Sequence, residues 1–139
     1  MSAGRYVLDA CAVIAFLAGE EGADKVKHLL DLAAAGNADI HMHRINLLEV
    51  YYDTHKIGGQ EAAEEIYQQL LDLPIVVNDT LDGMIFRKAG ILKATFRISL
   101  ADAIALALAA NLEAPLVTSD HHEFDIIEQE EQIAFLWIR

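Results

Sequence analysis

Tyr6-Val7-Leu8-Asp9 is the stretch whose reading decides the fold: a short run of bulky residues cut off by an acid. Such a run, too short for a helix, reads as a buried strand, and Asp9 marks its end. Working outward, residues 12–17 have helical character that breaks at Gly19, and residues 21–35 form a helix with Val26, Leu29, Leu30 and Ala33 on one stripe, stopped by Gly36-Asn37. Residues 40–43 alternate as a short strand. Residues 46–55 read as a helix ended by Gly58-Gly59, and residues 61–73 as an amphipathic helix that Pro74 forces to exit. A strand at 75–77 precedes a helix from Thr80 to about residue 94. Ser99 begins a helix that is apolar nearly all round over residues 103–110 and is therefore expected at the centre. A strand at 116–118 ends at Ser119-Asp120, a short helix runs through Ile126 and Ile127, and a last strand covers 133–136. Short apolar strands alternating with helices predict an α/β domain with a mainly parallel central sheet. No repeat, low-complexity tract or linker divides the chain, so residues 1–139 are read as one domain.

Composition narrows the setting. Apolar residues make up 54% of the 139, enough for a real core at this length. No stretch approaches the roughly 20 apolar residues of a membrane span. The N-terminus lacks a basic segment followed by an apolar one, so no secretory signal is expected. A single cysteine, Cys11, rules out an intramolecular disulfide and suits a reducing cytoplasm. The formal net charge of −12 is unusual for a protein that grips nucleic acid through many phosphates. Three explanations stand: no nucleic acid is bound, a cation and a local basic strip do the work, or a basic partner covers the acidic surface.

Four acids occupy the places a metal site needs. Asp9 and Asp120 end strands and so lie at the carboxyl edge of the sheet, where open α/β sheets bind ligands. Glu49 and Asp102 sit in the first turns of helices that start from that edge, each interrupting an apolar neighbourhood. Gathered carboxylates raise one another's pKa and stay ionised together only beside a cation. Oxygen-only ligands select Mg²⁺ or Mn²⁺, which assists attack of water on a phosphodiester without a protein nucleophile. Each acid also has a plainer role available: Ser99-x-x-Asp102 and Asn46-x-x-Glu49 have the form of capping boxes, and an Asp after a strand commonly serves a turn or cap.

Four segments together resemble the PIN domain family and, within it, the VapC-type toxins. They are Tyr6-Val7-Leu8-Asp9-Ala10-Cys11-Ala12, Asn46-Leu47-Leu48-Glu49-Val50, Ser99-Leu100-Ala101-Asp102-Ala103-Ile104-Ala105 and Leu116-Val117-Thr118-Ser119-Asp120. The resemblance covers essentially the whole chain, with Leu-Ala-Asp-Ala and the Thr-Ser-Asp ending the most specific pieces. It implies a three-layer α/β/α sandwich and a Mg²⁺- or Mn²⁺-dependent endoribonuclease whose metal-coordinating, catalytic acids are Asp9, Glu49, Asp102 and Asp120. Ser119 falls where such proteins often carry a hydroxyl that orients the site. A cognate antitoxin and a homodimer are implied as partners. Cys11 departs from the pattern, since relatives often have Ser or Thr there.

Arg87, Lys88, Lys93 and Arg97 are the densest basic strip, read either as an RNA-backbone track or as a solvated helix face. Asp125 is read as a cap for the helix at Ile126, or as an outer acid of the site. His41, His43, His121 and His122 suggest zinc, but Cys11 is the one thiol and no helical His pair spaced by four exists. There is no Gly-x-Ser-x-Gly elbow for a serine hydrolase and no phosphate-cradling glycine loop. Two other readings remain: a non-catalytic member that binds a partner or oligomerises, its acids serving as helix caps, and a structure-specific DNA nuclease using the same acids.

Overall fold

Parallel strands alternate with helices throughout the described residues, 4–139, of the computed structural model. β1 (Gly4–Leu8) leads into α1 (Ala10–Ala18) and α2 (Ala23–Ala34), and β2 (Ala38–His43) into α3 (Arg44–Leu71). β3 (Val76–Asn78) is followed by α4 (Gly83–Thr95) and α5 (Leu100–Leu112), β4 (Leu116–Thr118) by α6 (His121–Glu130), and β5 (Phe135–Trp137) completes the order. The sheet runs β3-β2-β1-β4-β5 with every neighbouring pair parallel. Parallel neighbours need crossover connections, which is why a helix or helix pair separates each strand from the next.

The pleat sorts the strand side chains into two cores. Val7 and Leu116 join a cluster with Leu92, Ile104, Leu108, Phe124 and Ile127 from α4, α5 and α6. Leu8 and Val117, the next residues along the same two strands, belong to the opposite cluster with Val13, Val26, Leu30, Leu47 and Val50 from α1, α2 and α3. Period-two alternation between two covered faces makes each strand read as an unbroken apolar run. The layers are therefore helix, sheet, helix, as the sequence predicts. In α5, residues 103–109 are each at most 1% exposed. Its alanines keep it slim enough for α3, α4, β1 and β2 all to pack around it. Among the described residues, no helix is long and apolar enough to cross a membrane.

From β1 the chain builds outward to β2 and β3, then returns to place β4 and β5 on the other side. The switch lies between β1 and β4, and beyond the carboxyl ends of such a pair the loops diverge and leave a crevice.

Several boundaries differ from the sequence reading, each for a local reason. α3 starts at Arg44 because His43 caps it: Nδ1 accepts from the Ile45 N–H at 3.1 Å, and Nε2 donates to the Thr80 carbonyl at 2.9 Å. Asn46 is therefore inside the helix, and the capping box expected from Asn46 and Glu49 does not form at its start. The same imidazole holds Thr80 in the connection, so α4 begins at Gly83 and not at Thr80. Gly59 (φ 87°, ψ −178°) breaks the helical backbone of α3 where the sequence reading ends one helix, and the second helical stretch runs on to Leu71, as expected before Pro74. α6 is capped by Asp120, which places Asp125 inside the helix, paired with His121 Nδ1 at 2.7 Å. β5 starts at Phe135, because Ile133 is already committed to the core beside α5 and α6.

Gly22 tests how the C-terminal segment is seated. Its φ is +96°, and a Cβ there would lie 2.7 Å from the Ile138 carbonyl oxygen and 2.9 Å from Ile138 Cγ1. Gly36 also has positive φ (+79°) but open space around it. Gly22→Ala is expected to lower stability by about 1–3 kcal/mol in urea denaturation, clearly more than Gly36→Ala. Equal losses would mean that Ile138 is not packed against this turn.

Candidate active site

At the carboxyl ends of β1 and β4 stand acids that the secondary structure itself holds in place. Asp9, 2% exposed, caps α1: Oδ1 accepts from the Ala12 N–H at 2.8 Å, and Oδ2 accepts from the Thr118 hydroxyl. Asp120 caps α6, Oδ1 accepting from the Glu123 N–H at 3.1 Å, while its own N–H donates to Thr118 Oγ1 at 3.1 Å. Thr118, the last residue of β4 and fully buried, thus ties the two strand-end acids together. Asp102 stands in the first turn of α5 and donates its N–H to Ser99 Oγ at 3.0 Å, so the Ser99 half of that capping box is present. Glu49 lies further along α3 and accepts from Asn46 Nδ2 at 3.2 Å. Asp9 and Asp120 thus cap helices with their own carboxylates, whereas Asp102 is held through its backbone by the Ser99 cap.

The electrostatic fields of these side chains overlap. Burial pushes the Asp9 carboxyl up to about 7; Thr118 and the Ala12 N–H oppose the rise, and the charges of Asp102 and Asp120 add to it. Burial, then the charge of Glu49, pushes Asp102 up to about 7 against the Ser99 hydrogen bond, with further push from Asp120 and Glu123. Glu49 is also raised, by burial and by Asp53, with Asn46 opposing. Cys11 acts as an internal probe: burial first, then the charges of Asp9, Asp120, Asp102 and Glu49 together, push its thiol up to about 12. All four acids add to the negative field at that sulfur.

Other expected members are placed differently. The hydroxyl that orients the acids is Thr118's and not Ser119's; Ser119 contributes its carbonyl to the His121 N–H at 3.1 Å, with no side-chain hydrogen bond among those described. The signal was a threonine in an otherwise apolar buried strand, since a buried hydroxyl needs a partner. Glu123 and Asp53 join the field of the site from α6 and α3, though neither stood out in the sequence. The basic residues do not form one strip. Arg87, Lys88 and Lys93 are spread about 100–140° apart around α4. Lys88 is engaged by Glu131 at 2.7 Å, Arg87 bonds the Gly83 carbonyl at 3.2 Å, and Lys93 is exposed in the last turn of α4. Arg97 is exposed just ahead of α5. The imidazoles are engaged as well: His41 with Asn78, His43 with Thr80 and Ile45, and His121 with Asp125 and the Arg139 carbonyl.

Among the described residues, no three His, Cys, Asp or Glu side chains converge into a ready-made metal cage. The donor set still fits a hard divalent ion that keeps part of its water shell. All four donors are carboxylates, Glu49, Asp102 and Asp120 are half-exposed, and their mutual repulsion is what such an ion relieves. A bare zinc cage of imidazole and thiolate does not fit these residues.

A family model described as PIN domain matches residues 6–129. No curated protein matches the chain in sequence. Among solved structures, VapBC from Salmonella typhimurium in a DNA-bound complex is similar with a TM-score of 0.74 at 16% identity, over 98% of this chain and 99% of that one. VapBC2 from Rickettsia felis, bound to a promoter DNA fragment, gives 0.72 at 19% identity over 95% and 97%. VapC20 from Mycobacterium tuberculosis, a toxin that cleaves the sarcin-ricin loop, gives 0.64 at 14% identity over 94% and 98%.

The raised carboxyls carry a stability signature. Folded Asp9 and Asp102, near 7 against an ordinary 3.8, hold extra protons between those values. Their contribution is therefore full below about pH 4, is lost as pH rises through about 7, and then levels off. In metal-free solution, Asp9→Asn is expected to be more stable than the unmodified chain at pH 8, by an amount of order a few kcal/mol, and to lose that advantage near pH 4. Thermal melting with a chelator at both pH values checks this; an advantage that is the same at both would contradict it.

Proposed function

This chain belongs to the PIN domain family, and from that membership we propose that it is a divalent-metal-dependent endoribonuclease, the toxin of a VapBC-type toxin–antitoxin pair acting in the cytoplasm. PIN domains are generally nucleases that use divalent metal ions. The observation that carries the reading to this chain is the crowding of Asp9, Glu49, Asp102 and Asp120 around one crevice, where Asp9 and Asp102 are pushed up to about 7.

These four residues would hold Mg²⁺ or Mn²⁺. When bound, the ion supplies charge to the phosphodiester and its leaving oxygen and makes water a better nucleophile. The protein's part is positioning. Asp9 is fixed at both oxygens, by Ala12 N–H and by Thr118, so its carboxylate presents a single orientation. Asp120 is aimed by its cap on α6, and Asp102 by the first turn of α5. No side-chain nucleophile is required. The exposed Arg97, just before α5, and Arg87 and Lys93 on α4 are the cations available to RNA phosphates, whereas Lys88 must first leave Glu131.

Partner binding has support on the surface. An apolar groove between α1 and α3 is lined by Ile14, Leu17, Val50 and Ile66, with Ile57 beside it 90% exposed, and this suits an antitoxin segment. Met84 and Ile91, seven residues apart on one face of α4, are 73% and 61% exposed, and this suits a homodimer contact.

With Mn²⁺ present, the unmodified chain is expected to cleave structured single-stranded RNA in preference to duplex DNA. Asp102→Asn and Asp9→Asn are each expected to reduce the rate at least about 100-fold, the scale on which groups that support developing charge act. Calorimetric titration with Mn²⁺ should show binding to the unmodified chain and much weaker binding to both variants. Cleavage at the unmodified rate by both variants would end the assignment.

A further inference from the structure

One buried amide lies beside the site without being one of its acids. Asn46 is fully buried within α3. Its Nδ2 donates to Glu49 Oε1 at 3.2 Å and to the Ala101 carbonyl at 3.2 Å, thereby spanning the two helices that carry Glu49 and Asp102. Its Oδ1 is buried with no hydrogen-bond partner among the described residues. We propose that Asn46 is a positioning residue of the nuclease site, bracing the Glu49 carboxylate against the backbone of α5 one residue before Asp102.

The residue type is the argument. A buried amide oxygen without a donor weakens a fold, and leucine would fill nearly the same volume without leaving one. Packing between α3 and α5 therefore does not explain an asparagine here. The two donor bonds do, because only a group with two N–H donors on one short stem can reach a side-chain carboxylate and a neighbouring helix carbonyl together. Glu49 sits on a helix surface and would otherwise sample several rotamers. Held by Asn46, its carboxylate keeps a fixed separation from the start of α5, where Asp102 stands. Hydrogen bonds that orient metal-binding side chains from behind typically change metal affinity 10- to 100-fold when removed. The unpaired Oδ1 is the part of the amide that packing alone leaves unexplained.

The proposal rests on the nuclease reading, and the test separates the two. Asn46→Leu keeps the volume and removes all polarity; Asn46→Asp keeps the shape and removes both donors. A purely structural staple predicts lower stability in urea, with Mn²⁺ affinity and kcat unchanged in the folded fraction. A positioning role predicts Asn46→Leu to be as stable as the unmodified chain or more so. Both variants then bind Mn²⁺ about 10- to 100-fold more weakly and lose kcat while KM for RNA changes little. In the unmodified chain, the Asn46 side-chain amide resonances should also shift on titration with Mg²⁺, a readout that needs neither variant to fold. An unmodified chain that binds Mn²⁺ and cleaves RNA, with both variants matching it in affinity and kcat or with the Asn46 amide unmoved by Mg²⁺, overturns the role of Asn46 alone. An unmodified chain that neither binds the metal nor cleaves RNA overturns the nuclease reading and this inference with it.

Discussion

Carboxylates that share a half-dry crevice repel one another and resist burial, and much of this fold serves to keep them there. Asp9 is almost completely enclosed and Asp102 half-buried, and each is pushed to about 7 by loss of solvent and by its neighbours' charge. Nothing in the apolar packing favours that arrangement. What sustains it is the backbone: each strand-end acid lies where a helix begins, and the free N–H groups of that first turn offer compensation that only an acceptor can take up. The helix start and the acidic site are two uses of one geometry.

Thr118 shows how tightly this is drawn. Its hydroxyl donates to Asp9 and accepts from the backbone of Asp120, so one buried oxygen sets the relation between β1 and β4 on the side where the crevice opens. The sheet on its own would leave the two acids one strand spacing apart with independent rotamers. Thr118 bridges them through one oxygen, and the nearby Cys11 thiol is held protonated first by its burial and then by the acids' charge.

The architecture was legible because burial on both faces leaves an unmistakable mark: Tyr6-Val7-Leu8 and Leu116-Val117-Thr118 have no polar side to hide. The acids drew notice for the converse reason, Asp9 and Asp120 as charges ending such runs and Glu49 and Asp102 as charges interrupting apolar stretches near helix starts. What escaped the reading was local chemistry with more than one possible partner. His43 is the strand residue it was read as, but its ring also caps α3 and reaches Thr80, which moved two helix starts. Ser119 and Thr118 are chemically alike, and only the pleat decides which hydroxyl turns inward. The basic residues of α4 cluster in sequence but are dispersed by the helical turn, and one is taken up by Glu131 at the far end of α6. Asn46 looked like a cap and proved to be an inter-helix brace.

The strand order has a consequence for how the molecule comes into being. Asp9 and Thr118 are 109 positions apart in sequence, yet they touch across adjacent central strands. Pairing at that separation is slow and comes late, after the long intervening loop has closed. A ribosome-bound chain that lacks β4 therefore has its first acid but no crevice. Closure of the crevice waits until β4, at Leu116–Thr118, has left the ribosome.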